Sequence, residues 1–204
     1  MFEVMKRLLF AREIQLEKGY ISLLGQRMVL APASTFVYIQ KIGQELKQEE
    51  FVNKLIYYGA KVAGYNGFTT KIIKKFEFSE NKTIKWQTDI AELGGWGEFT
   101  HIDTSIEKKS STIRFHNSPV AVLFGSSRSP VDHFIRGYTA AVAELVFKEP
   151  TETIETKCQA MGHKYCEMVT VPTRALDPAD KMVNEQLDLN GKIKKIAEAL
   201  YERK

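Results

Sequence analysis

Glu155-Thr-Lys-Cys158-Gln-Ala-Met-Gly162-His-Lys-Tyr-Cys166-Glu-Met-Val169 is the stretch on which the reading of this chain turns. Residues 151 to 158 and 164 to 171 read as two strands of a hairpin around Met161-Gly162-His163. Cys158 and Cys166 lie symmetrically about Gly162, so a regular hairpin sets them face to face, with Cα atoms about 4.5 to 5.5 Å apart. Two sulfurs that close can form a disulfide, pack as small hydrophobes, or chelate zinc as thiolates. Zinc would need two more ligands: carboxylates stand at Glu155 and Asp132, and imidazoles at His133 and His163. Strict alternation puts positions 155 and 158 on opposite faces, so Glu155 joins only where the strand twists, bulges or ends between them. His163, inside the turn, points to water. Asp132 has a plain alternative, as an acid at the third helical position facing unpaired backbone amides and the positive end of the helix dipole. Spacing alone leaves these alternatives open.

Working outward, Ser129-Pro130-Val131-Asp132 opens a helix with a serine cap and a proline in the first turn, and the apolar spacing carries it to Phe147. Its apolar face is Val131, Phe134, Tyr138, Val142 and Leu145, while Gly137, Ala140 and Ala141 form a thin strip that admits another backbone. Trp96 to Ile106 and Thr112 to Ala121 flank the polar turn Glu107-Lys108-Lys109-Ser110 as a second hairpin. An amphipathic stretch from Ile84 to Leu93 ends at Gly94-Gly95. Nearer the start, residues 12 to 31 alternate with breaks at Gly19 and Gly25, which predicts short strands and tight turns. A helix capped by Ser34 or Thr35 follows, with Phe36, Ile39, Ile42 and Leu46 on its apolar face. A second carries Phe51, Leu55, Tyr58 and Val62 and is stopped by Gly64 and Gly67. After Pro172 and Pro178 a polar stretch leads to a final amphipathic helix through Ile193, Ile196, Ala197, Leu200 and Tyr201. These elements predict an α+β protein: one domain over residues 1–172, then a linker and C-terminal helix over 173–204.

A chain of 204 residues buries an ordinary core without cross-links. The formal charge of +4 is spread over Lys74-Lys75, Lys108-Lys109 and Lys192-Lys194-Lys195 among acids, which argues for a solvated surface and against nucleic acid as a partner. No apolar run approaches the roughly 20 residues of a membrane span, and the first residues lack a leader pattern, so the expectation is a cytoplasmic protein. A dinucleotide fingerprint after a strand, a nucleophile elbow and a Cys-x2-Cys pair are all missing from the sequence, which leaves an enzymatic reading with little to stand on.

The order of features then resembles a known family. Leu93-Gly-Gly-Trp-Gly-Glu-Phe, the segment ending Asn117-Ser118-Pro119, His133-Phe-Ile-Arg-Gly-Tyr-Thr-Ala-Ala-Val and the Glu-x2-Cys-x7-Cys element are similar to the 4-vinyl reductase (V4R) domain family, most clearly over residues 85–172. The resemblance implies an antiparallel sheet packed on a helical layer that pairs with a second copy, as a homodimer. Relatives of the family include zinc-containing sensors of aromatic compounds and small TRAPP-complex subunits. In the sensors a Glu, both Cys and one earlier Cys hold the zinc. The matching positions here are Glu155, Cys158 and Cys166, and the earlier cysteine falls at or near Asp132, so Asp132 or His133 would supply the fourth ligand. The functional expectation is a stand-alone sensor or regulatory domain binding a hydrophobic or aromatic small molecule, with Phe99, Phe115, Phe134 and Tyr138 facing the ligand. The alternatives are a 4-vinyl reductase or accessory protein of tetrapyrrole metabolism, and a dimeric interaction scaffold of TRAPP type.

Overall fold

The computed structural model describes residues 13–23, 25–69 and 79–201. The first twelve residues and the Lys74-Lys75 pair, on which the leader and charge readings bear, lie outside them. Three short strands, β1 (Ile14–Glu17), β2 (Tyr20–Leu23) and β3 (Gln26–Met28), make the antiparallel meander that the sequence predicts. A second antiparallel sheet, in the order β4-β5-β7-β6, is built from β4 (Glu98–Ser105), β5 (Ser110–His116), β6 (Thr151–Lys157) and β7 (Cys166–Pro172). Around it stand α1 (Ser34–Glu45), α2 (Glu49–Ala63), α3 (Glu80–Leu93), α4 (Pro119–Phe124), α5 (His133–Phe147), α6 (Lys181–Gln186) and α7 (Lys192–Tyr201). The α+β arrangement of sheet and helical layer is the one expected from the sequence.

Strand β5 shows why the larger sheet has an inside. Its sequence Ser-Ser-Thr-Ile-Arg-Phe-His alternates, and Ser111, Ile113 and Phe115 are buried while Arg114 faces outward. Helix α5 is the centre of the helical layer, packed between β6 and α2 and buried on nearly every side. The thin strip foreseen on α5 has its physical reason at Gly137: a Cβ there would lie 2.1 Å from the Tyr57 carbonyl oxygen of α2. Only a residue without a side chain lets the two helices come that close.

Several boundaries differ from the sequence expectation. The strand expected to reach Ala121 ends at His116, because Ser118 caps a short helix: its Oγ accepts from Ala121 N at 3.1 Å, with Pro119 at the first helical position. Neither Ser34 nor Thr35 caps α1; Ala33 stands at the cap position and gives no side-chain bond. Helix α2 ends at Ala63 with Gly64 at its C-cap, but the chain stays helical beyond it in a π-helical turn over Gly64–Thr69 that includes Gly67. On α1 the buried side is Val37, Gln40 and Gly43, whereas Ile39, Ile42 and Leu46 of the predicted apolar face are exposed. The polar stretch after Pro178 contains α6, capped by Asp180, which accepts from Met182 N at 2.8 Å and Val183 N at 3.3 Å.

Strand β6 is an edge strand, yet its outward backbone groups are closed by side chains. Thr151 O accepts from Lys61 Nζ at 2.6 Å, and Thr151 N donates to Glu144 Oε2 at 3.5 Å. Thr153 N donates to the Tyr57 hydroxyl at 3.0 Å, and Thr153 O accepts from Arg136 Nη1 at 3.2 Å. Glu155 N and O are both taken by the Gln186 amide, at 2.9 and 3.0 Å. Behind this edge the fully buried Glu152 carboxylate receives Tyr57 at 2.6 Å, Lys61 at 3.2 Å and Lys194 of α7 at 3.3 Å. Burial opposes the charge on Lys61, but Glu152 and Glu144 outweigh it and hold its pKa above the ordinary value.

Gly137→Ala is therefore expected to destabilise the chain by about 1–3 kcal/mol through overpacking against Tyr57. Gly59→Ala, on exposed α2 surface with nothing within 4 Å, should be neutral or stabilising. Urea denaturation of both variants checks the pair; equal midpoints would mean that the α2–α5 approach is not tight.

Candidate metal centre

The strand-parity obstacle to Glu155 is removed by a register shift. Glu155 pairs with Met168 and Lys157 with Glu167, so two steps along β6 match one step along β7. That bulge restores Glu155 to the face that carries Cys158. Gly162, at φ 88°, turns the chain back and brings Cys166 opposite. The sulfurs of Cys158 and Cys166, one oxygen of Glu155 and one of Asp132 all lie within 4.8 Å of one another, and all four residues are buried. Both cysteines are free, so no disulfide joins them.

Asp132 does not fill the capping role open to it in the sequence. It sits at the cap position of α5 but makes no side-chain bond to the helix. One carboxylate oxygen, Oδ1, accepts from the Ser118 hydroxyl. Glu155 Oε2 in turn accepts from Asp132 N at 3.2 Å, and Cys166 Sγ accepts from Gln159 N at 3.3 Å. Asp132 Oδ2 and Glu155 Oε1 are left buried without a hydrogen-bond partner. A buried carboxylate oxygen normally finds a donor, and leaving one unpaired is costly. Two orphaned oxygens beside two sulfurs are a donor set suited to a divalent cation, and the four residues form a cluster that could hold a metal ion.

The cluster's electrostatics tell the same story. Burial pushes the Glu155 carboxyl well above the usual carboxylate range, and the neighbouring Asp132 charge pushes it further. Burial also raises Asp132, partly offset by the Ser118 hydroxyl. Between the thiols, a hydrogen bond from Cys166 eases ionisation of Cys158, and the same bond with burial drives Cys166 up. Without a cation the cluster retains protons that a bound cation would displace.

His133 is placed differently from Asp132. Its ring is buried, with Nδ1 3.2 Å from Arg136 Nη2, and it is not one of the four grouped residues. Burial and then the guanidinium hold its pKa well below the ordinary histidine value, so the ring is neutral. His163 is exposed in the turn, as expected.

The four aromatic residues singled out in the sequence fall into two ring pairs. Phe99 stacks on Phe115 at 5.2 Å, and Phe134 lies 5.5 Å from Tyr138. Phe134 also stacks on Trp96 at 4.8 Å, with Phe36 4.9 Å away. Phe115, Cys158 and Cys166 belong to a single buried cluster, with Phe36, Trp96, Phe99 and Tyr138 packed against it.

This geometry lies inside a recognised sequence unit. Residues 111–172 match the V4R domain model. The V4R match spans all four residues of the cluster. No curated protein sequence matches the chain. Among solved structures, the phenol-responsive sensory domain of the transcription activator PoxR is similar, with a TM-score of 0.69 and 17% identity over 100% of this chain and 98% of that one. A vinyl-4-reductase family protein from Methanocaldococcus jannaschii aligns with a TM-score of 0.42 and 15% identity, over 72% of this chain and 84% of that one. The first likeness shows that the two chains share a fold over nearly their whole lengths.

Sequence reasoning missed the residues that support this cluster. Ser118 was read only as the end of a strand, although Ser118-Pro119 is a cap followed by a first-turn proline. Arg136 carried a signal, as an arginine set among the small and apolar residues of the first half of α5. Gln186 carried none.

The carboxyl pKa values set a pH dependence. For a group raised in the folded state, the stabilising contribution is complete below the unfolded pKa and is lost as pH rises through the folded one. In the presence of a strong chelator, the urea midpoint is expected to fall over the window that lies above the ordinary carboxylate range, and Glu155→Gln should flatten that fall. A midpoint that rises across the window would contradict the raised carboxyls.

Proposed function

We propose that this V4R chain is a small-molecule sensor or regulatory domain that binds a hydrophobic or aromatic compound and carries a structural zinc. The observation that carries the reading is the joining of two features in one core: the cluster of Glu155, Cys158, Cys166 and Asp132, and the aromatic group of Phe36, Trp96, Phe99, Phe115, Phe134 and Tyr138 beside it. Zinc takes thiolate and carboxylate ligands in a tetrahedron, and four protein ligands leave no open position for chemistry. The zinc would pin the β6–β7 hairpin to the start of α5, from which Phe134 and Tyr138 project. Support for the ligand class comes from the overall likeness to a domain described as phenol-responsive. Aromatic side chains with few polar groups among them are the chemistry that would take up a planar apolar molecule.

A homodimer is part of the reading. Tyr38, Ile39, Ile42 and Leu46 of α1, with Phe51 and Leu55 of α2, put large apolar side chains on the surface. The apolar side of α1 faces away from its own core, and a second copy presenting the same helices would bury it. Among the described residues no helix is long and apolar enough to cross a membrane.

Native mass spectrometry of the chain purified without added ligand tests all three elements. The expected species is a dimer with one zinc per chain, and phenol or a simple hydrophobic aromatic should add mass and raise the melting temperature. Ile42→Asp should shift the mass to monomer. Cys158→Ser or Cys166→Ser should release zinc to a chromogenic chelator and lower the melting temperature, because metal-binding energy is folding energy in such a site. A metal-free chain with an unaltered melt in those variants removes the zinc. A melt unmoved by any aromatic compound removes the sensor.

A further inference from the structure

We infer that loading of the four-residue cluster and docking of the C-terminal helices α6 and α7 are one coupled equilibrium, joined through Gln186; this rests on the metal reading of the cluster. Gln186 is the last residue of α6 and is buried. Its Oε1 accepts from Glu155 N and from Arg136 Nη1, each at 2.9 Å, and its Nε2 donates to Glu155 O at 3.0 Å. Its own carbonyl accepts from Arg136 Nη2 at 3.1 Å. One side chain thus grips the backbone of a cluster residue and the guanidinium of another element.

That second element carries the other carboxylate. Arg136 lies one helical turn after Asp132, with Arg136 N donating to Asp132 O at 3.0 Å. The two arms of the cluster, β6 through Glu155 and α5 through Arg136 next to Asp132, therefore converge on Gln186. A cation that draws the two carboxylates together fixes the separation of these arms. The loss of that cation removes the ion that ties the two carboxyl groups together, and the separation of the arms is no longer fixed. The Gln186 amide meets all of its partners only at one separation of the arms, and a buried amide that loses a partner bears the desolvation penalty.

Beyond Gln186 the docking continues without a break. Leu187 is buried, Asp188 N donates to the Tyr58 hydroxyl at 3.2 Å, and Lys194 of α7 reaches Glu152. Asn66 Nδ2 donates to Leu200 O at 3.1 Å, and Tyr201 stacks on Tyr65 at 4.5 Å. Gln186 is a positioning residue for Glu155, and α6–α7 are the part of the fold that responds to the state of the cluster. Coupling of this kind is reciprocal, so docking tightens cation binding by the factor by which the cation tightens docking.

The test is tryptic cleavage of the full chain at the exposed Lys181, Lys192 and Lys195, zinc-loaded against chelator-stripped. Stripping should speed these cuts about five- to tenfold. In Gln186→Ala, kept folded by the criterion of circular dichroism, the ratio should approach one, and zinc affinity in competition with a chromogenic chelator should fall by the same factor. Val183→Ala loosens α6 without touching Glu155, so it should speed cleavage in both states and keep the ratio. Zinc-bound protein whose C-terminal cleavage ignores stripping overturns the coupling, as does an undiminished ratio in Gln186→Ala. Stripping that opens every part of the chain alike also overturns it. Failure to take up zinc at all, read by elemental analysis, removes the metal centre itself and the coupling with it.

Discussion

One additional residue in β6, between Glu155 and Lys157, decides which side chains the terminal hairpin turns inward. In a regular strand Glu155 and Cys158 would point to opposite faces, and the carboxylate would lie away from the sulfurs. The bulge leaves the backbone of Glu155 on the free edge, where Gln186 holds it, while delivering the carboxylate to the cluster. Strand, α5 and C-terminal segment meet at this point, and each is positioned by the others.

The second constraint is the amount of charge taken out of water. Arg136, Glu152, Glu155 and Asp132 are all essentially inaccessible, and Lys61 and Lys194 nearly so. Burying ions is unfavourable unless each is paired and hydrogen-bonded, and removing one partner of such a set is strongly destabilising. The partners here come from α2, α5, β6, α6 and α7, so the network acts mainly to specify one arrangement of these elements. The Arg136 guanidinium also lies 4.3 Å from the Tyr57 ring, a contact a lysine would not reproduce as a planar stack.

Much of this was legible from residue order. The glycine turns of the meander, the extent of α5 to Phe147 and the Cys158–Cys166 hairpin follow from spacing and turn chemistry. The condition that Glu155 needs a bulge was also readable, but its presence was not, because a bulge depends on the pairing strand. The side of α1 that turns inward was unreadable for another reason. Periodicity locates an apolar stripe without saying whether it meets the protein's own core, and here Gln40 is buried instead through its bond to the Val131 carbonyl at 3.0 Å. Ser118, Arg136 and Gln186 act across 14 to 50 residues of sequence, distances at which local pattern carries no information.

The closed edge of β6 bears on how the chain behaves in a crowded solution. An open edge strand offers a ladder of amides and carbonyls on which a foreign strand can extend the sheet, the first step toward fibrous aggregates. Here Lys61, Glu144, Tyr57, Arg136 and Gln186 occupy that ladder at Thr151, Thr153 and Glu155. Over these three residues the edge no longer offers its amides and carbonyls to a foreign strand.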